Sequence, residues 1–129
     1  MKLFTKPILK KLLSNGAKPD KDYAPVVKLF TPDAGCTWLL SEINPNEQDM
    51  AFGLCDLGLG SPELGYVYLP ELKQIRGKLG LPIERDRLFK GEYPLSVYAI
   101  AASTHQHIVS DKKSLEQAHQ VYLKRQREK

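Results

Sequence analysis

The run CTWLLSEINPNEQDMAFGLCDL, residues 36–57, decides the fold, because two β-rich segments flank Asn44-Pro45-Asn46-Glu47, a tetrapeptide of turn formers. Strands over 36–43 and 49–57 joined by so short a turn make an antiparallel hairpin. If the hairpin is symmetric about its turn, Cys36 faces Cys55, Trp38 faces Gly53 and Glu42 faces Asp49. That register gathers Thr37, Leu39 and Ile43 with Met50, Phe52 and Leu54 on one apolar side. On the other side the Trp38 ring covers the bare backbone of Gly53, which offsets the weakness of glycine in a strand.

Working outward, residues 26–31 form a short strand that reaches the hairpin through Pro32-Asp33-Ala34-Gly35. Residues 63–69, rich in Tyr and Val, form a strand after the loop at 58–62. About four short strands with short turns imply an antiparallel meander. Upstream, Ile8, Leu9, Leu12 and Leu13 share one side of a 3.6-residue repeat and Lys6, Lys10 and Lys11 the other. Thr5 caps this helix, Pro7 fits its first turn, and Asn15-Gly16 supplies a left-handed exit. Downstream, Pro70 opens a helix near 70–79 with Leu72, Ile75 and Leu79 on one stripe, closed by Gly80 and Pro82. Residues 82–89 are extended. Residues 94–103 suit helix or strand, and three alanines favour helix. Ser110 caps a last helix with Leu115, Ala118, His119 and Tyr122 on its stripe. The class is therefore α+β in a single domain, compact over 1–110, with a basic C-terminal helix or tail over 111–129 attached to it.

The chain has 129 residues, a length suited to one core, and its 42% hydrophobic and 26% charged content excludes wholesale disorder and collagen-like architecture. No run of about 18 apolar residues can span a bilayer. Lys6, Lys10 and Lys11 interrupt what would be the apolar stretch of a secretion signal, so a cytoplasmic protein without membrane contact is expected. Charge is polarised along the chain. Residues 1–21 carry six Lys and one Asp, residues 22–111 carry seven Lys or Arg and twelve Asp or Glu, and residues 112–129 carry six Lys or Arg and two Glu. Either the basic ends lie against the acidic middle, or Lys10, Lys11, Lys124 and Arg125 belong to a surface that attracts polyanions.

Two cysteines in a reducing compartment are small buried hydrophobes by default. A metal site joining Cys36 and Cys55 to His105 and His107 lacks the close cysteine pair of zinc folds and is disfavoured, and no cofactor is expected. Glu42, Glu63 and Asp86 would be the ligands of a divalent cation in a nuclease, the one alternative that requires a metal. Glu84-Arg85-Asp86-Arg87 alternates in sign, as an internal ion-pair ladder or an arginine pair for phosphate would. Tyr66 and Tyr68 share a strand face of the kind single-strand binders use for stacking, although tyrosines on a half-buried sheet are ordinary. No nucleotide-binding loop, nucleophile elbow or zinc-helix motif is present.

KLFTPDAGCTWLLSE at 28–42, FGL at 52–54, ELGYVYLPEL at 63–72 and RGKLGLPIERDRLF at 76–89 occur in order at compatible spacing. In these segments the chain resembles the uncharacterised domain-of-unknown-function family two-nine-five-eight, over about residues 3–96. The resemblance implies an accessory protein of mobile genetic elements, such as plasmids and integrative conjugative elements, in a family whose members are sometimes labelled single-stranded DNA endonucleases. The matching positions include Thr37, Trp38, Glu42, Gly53, Glu63, Gly65, Tyr66, Glu84, Arg85 and Asp86. For Gly53 and Gly65 a close backbone approach is expected. Cys36 and the extension from Val97 onward depart from the family pattern. The expected function is a non-catalytic binding protein whose partner is nucleic acid or a nucleic-acid enzyme, such as a protein of DNA transfer or defence, with Trp38, Tyr66, Glu84, Arg85 and the terminal basic residues at the contact. The alternatives are the metal-dependent endonuclease and an inhibitor that turns its acidic middle toward a host defence protein.

Overall fold

Alternation along one central strand divides the molecule. In the computed structural model, which describes residues 2–129, strand β2 (Thr37–Ile43) sends Trp38 and Leu40 into one core and Leu39 into another. It sits in a five-stranded antiparallel sheet of order β4-β3-β2-β1-β5, with β1 at Val27–Phe30, β3 at Met50–Asp56, β4 at Glu63–Tyr68 and β5 at Glu84–Arg85. The fifth strand comes from the segment expected to be extended, and it pairs with β1 through Leu29–Arg85 and Phe30–Glu84. Helices α1 (Lys6–Gly16) and α2 (Leu69–Gln74) contribute Leu12, Leu69 and Leu72 to the core beneath Trp38. On the opposite face α3 (Leu95–His105) and α4 (Lys112–Arg127) bury Val97, Tyr98, Ala101, Ala102, Leu115 and Ala118 with Leu39 and Leu54. An α+β sandwich results, with helices on both sides of the sheet.

The hairpin register differs from the symmetric one. Trp38 faces Cys55, Leu40 faces Gly53, and after a bulge at Ser41 Glu42 faces Phe52 and Ile43 faces Ala51. The cause is the turn, which is longer than four residues: Asn46 N donates to Asn44 Oδ1 at 2.9 Å, and Met50 N donates to the Glu47 carbonyl at 3.0 Å. The slide is by two residues, so the faces of Trp38, Leu39, Phe52 and Leu54 are retained. The extra residue at the bulge then moves Ile43 to the α1 face. Glu42 consequently meets an aromatic ring rather than Asp49, and Cys36 precedes the strand instead of facing Cys55.

Helix α1 pins the bulge. Asn15 Nδ2 donates to the Ser41 carbonyl at 2.9 Å in a buried position, and a side chain on Gly16 would strike the Ile43 carbonyl. Asn15-Gly16 is therefore the docked end of α1 rather than a left-handed exit, and Ala17 follows in right-handed geometry. Gly53 is explained by the same constriction. An added Cβ would collide with the Leu39 carbonyl and the Leu40 Cα, so close backbone approach, not coverage by Trp38, requires glycine there.

Helix α2 stops at Gln74, short of the expected 79, because Asp33 gathers the following loop. Its Oδ2 accepts from Leu79 N at 2.6 Å and Leu81 N at 3.4 Å, and Gly77 packs directly on the carboxylate. The ambiguous stretch is helix α3, apolar all round because the sheet lies on one side and α4 on the other. Its N-terminus is served from a distance, Ser96 N donating to Asp22 Oδ1 at 3.2 Å. Asp111, rather than Ser110, caps α4 by accepting from Ser114 N at 3.0 Å. Asp56, 3% exposed, ties the two halves together: its oxygens accept from Gly58 N at 2.9 Å and Ile108 N at 3.0 Å. No helix among the described residues is long and apolar enough to cross a membrane.

Candidate functional site

Which cations the fold uses internally decides where a partner could be attracted. Among the described residues the ion pairs are Lys28 with Asp86 at 3.7 Å and Lys112 with Glu116 at 4.0 Å. Lys6, Lys10 and Lys11 on α1, and Lys124 and Arg125 on α4, are exposed and outside both pairs. The basic ends therefore do not lie neutralised on the acidic middle. They also do not form one surface, since α1 and α4 pack on opposite faces of the sheet.

Beside α1 the surface opens into a groove of about 740 Å³. Leu3, Leu69, Leu72 and Ile83 make its apolar floor, Phe4 and Leu9 one wall, and Lys2, Lys73 and Arg76 a cationic rim interrupted by Asp49. Two of these features are positioned by specific contacts. Arg85 Nη1 donates to the carbonyls of Lys2 at 2.9 Å and Leu3 at 3.0 Å, which holds the N-terminal segment against β5. Arg76 Nη1 donates to the carbonyls of Lys73 at 3.1 Å and Ile75 at 2.8 Å, closing the end of α2. A guanidinium has five donors, so its remaining N–H groups stay available to an anion at the rim.

The residues singled out from the sequence fall in several places. Trp38 is 2% exposed and belongs to the core, so it is not a contact residue. Arg85 is half-buried and holds residues 2–3 through Nη1, and Glu84 is half-buried beside it on β5. Tyr66 is exposed on β4, with Phe52 against it at 5.2 Å in an edge-to-face arrangement. Glu42, Glu63 and Asp86 are not brought together. Asp86 follows β5 at one edge of the sheet and Glu63 begins β4 at the other, four interstrand steps or about 19 Å away. Glu42 and Glu63 also occupy opposite faces, since Glu42 faces Phe52 and Glu63 faces Cys55, which packs against the α1 core. Burial, and next the negative charge of Asp20, raises the Glu42 carboxyl above its ordinary value.

Cys36 and Cys55 are half-buried against the α1 core, while His105 at the end of α3 and His107 just beyond it stand exposed on the other face. Burial pushes the Cys55 thiol up, away from nucleophilic use. Among the described residues no three His, Cys, Asp or Glu side chains are grouped as a metal ion would need. His119 lies tilted against Tyr93 at 4.9 Å and stacked on Tyr122 at 6.2 Å, as a packing residue does.

Lys2, Phe4, Lys73 and Arg76 were not legible as a site in the sequence. Lys73 and Arg76 lie near a helix end, where a cation is locally favourable, and only the tertiary approach of residues 2–4 to α2 makes them a rim. Leu9 was the available signal, because it lies at the margin of the buried α1 stripe and is 38% exposed.

A family model described as "Protein of unknown function (DUF2958)" matches residues 3–109. The match takes in α3, which therefore belongs to the family core rather than to an extension, and it ends before α4. No curated protein and no solved structure matches the chain.

Proposed function

Because the chain belongs to the DUF2958 family, we propose for it a role compatible with the whole matched region: a non-catalytic accessory protein that binds single-stranded nucleic acid in the groove beside α1. The observation that carries this reading is the unpaired cationic rim of Lys2, Lys73 and Arg76 around an apolar floor with Phe4 in its wall. Single-strand binders combine such parts, the cations following the phosphates and an aromatic ring meeting a base. Lys6 and Lys10, one turn apart on the exposed side of α1, extend the positive field toward the same end of the molecule. Within residues 3–109 twelve Lys and Arg are balanced by twelve Asp and Glu, so attraction depends on local clustering and not on net charge.

Fluorescence anisotropy with labelled single-stranded DNA and RNA, read across a salt series, tests the proposal. Affinity should fall steeply with salt. Replacing Lys2, Lys73 and Arg76 together by Gln should weaken binding and reduce the salt slope by about 2, at roughly 0.7 per lost phosphate contact. Lys124→Gln with Arg125→Gln, on the far face, should change the slope less. Absence of binding at low salt, or a triple variant indistinguishable from the parent, rejects the groove as a nucleic-acid site.

A further inference from the structure

Strand β4 is an uncovered sheet edge whose backbone and side chains point to the same occupant. Leu69 N donates to the Asp49 carbonyl at 2.7 Å, so residues 63, 65 and 67 turn their backbone groups toward β3. The two-residue period then directs the N–H and C=O groups of Leu64 and Tyr66 and the N–H of Tyr68 outward, while the Tyr68 carbonyl serves the first turn of α2. These three residues also have exposed side chains, at 45%, 73% and 45%, on the sheet face that α3 and α4 share. The opposite edge differs, because β5 is only two residues long. An edge of this length whose charge is confined to Glu63 at its start is a template for pairing with another strand.

We propose that β4 pairs with β4 of a second copy, antiparallel about a twofold axis at Tyr66, joining two five-stranded sheets into one. The register follows from the side chains, since only an axis at Tyr66 sets Leu64, Tyr66 and Tyr68 against one another. With Tyr66 facing Tyr66 and Leu64 facing Tyr68, Tyr66 exchanges two bonds with its copy and each Tyr68 N–H donates to a Leu64 carbonyl. Moving the axis to Gly65 brings in Pro62, and moving it to Val67 brings in Pro70; neither proline has an N–H to donate. The chosen register is also free of like-charge contacts, since Glu63 lies across from Leu69 rather than its own copy. On the other face Val67 lies across from Gly65, around which no atom comes within 4 Å of an added Cβ in a single chain. The three side chains expose on the order of 300 Å² per copy, or about 600 Å² for the pair, which is below the size of stable interfaces and makes the contact a weak, transient one. Nucleic acid is the less suitable occupant, because Glu42, next to Phe52, and Asp20, whose charge acts on it, repel phosphate.

Sedimentation velocity on the full chain over a wide concentration range tests the pairing. The mass should rise from one chain toward two with a dissociation constant in the micromolar range, largely unaffected by salt. Tyr66→Lys, at an exposed position and verified by its circular dichroism, should remain monomeric throughout. Under mild oxidation Tyr66→Cys should link to itself as a disulfide dimer, whereas Leu64→Cys and Tyr68→Cys should link only when mixed. A constant monomer mass, or a dimer that Tyr66→Lys leaves intact, overturns the proposal. So does oligonucleotide binding that Tyr66→Lys abolishes while the mass stays that of a monomer.

Discussion

Gly53 and Gly65 face each other across the β3–β4 ladder, yet their surroundings are opposite. Around Gly53 the bulged β2 backbone leaves no room for a methyl group, and around Gly65 there is open space. The same residue type, at the same register position on neighbouring strands, marks a locked centre in one case and a bare edge in the other. Close backbone approach was the expectation for both glycines, and it holds at Gly53 alone. The lesson is that β2 and β3, clamped between α1 and the α3–α4 pair, carry the fold, while β4 is left for contact.

The sharpest way to break this contrast is to fill both positions. Gly53→Ala should destabilise by about 3 kcal/mol or more, because the added carbon meets backbone that cannot rotate aside. Urea denaturation gives the value, and a cost under about 1 kcal/mol would show that the centre is not locked. Next in size is Asp56→Ala, which removes the buried carboxylate joining β3 to the connection between α3 and α4. A loss of about 2–3 kcal/mol is expected, with earlier amide exchange at Gly58 and Ile108. Gly65→Ala should raise the stability of the isolated chain by about 0.5 kcal/mol, the intrinsic gain from replacing glycine in a strand. A large loss there would mean that the edge is as constrained as the centre.

The smallest effect concerns Glu42, on the sheet face toward α3. Its folded-state pKa is raised, first by burial and then by Asp20. A raised folded value means that this residue's contribution is fully present below the unfolded pKa and is lost as pH rises through the folded one. Glu42→Gln should therefore stabilise the protein at neutral pH, by about a few tenths of a kcal/mol after solvent screening, and give no gain in acid. Thermal melts at both pH values check the sign.

Much of the architecture could be read before any coordinates, for reasons visible in particular residues. The β-rich run before the Asn44–Glu47 turn announced strand β2, though not its burial on both faces, and the Ile8–Leu12 spacing announced α1. The helix at 94–103 was harder, since a segment apolar on every side has no periodic signature. The register failed first at the turn, which is longer than its four turn formers suggest, and again at Ser41, because a bulge is set by its partners, here Asn15 from α1, and not by its own sequence. The early end of α2 failed likewise, because the deciding carboxylate, Asp33, lies far away in the chain. Of the site, the lysines of α1 were legible as a solvated basic stripe, whereas the groove they flank was not.

Local chemistry therefore determined the elements of this protein: hydrophobic period, turn residues and caps act over a few neighbours and are written in order along the chain. Tertiary structure alone decided which cations converge, which acids stand apart and which edge stays bare. Those outcomes depend on long-range approach between segments, such as Arg85 holding residues 2–3 beside α2, and no short window of sequence contains the distances involved.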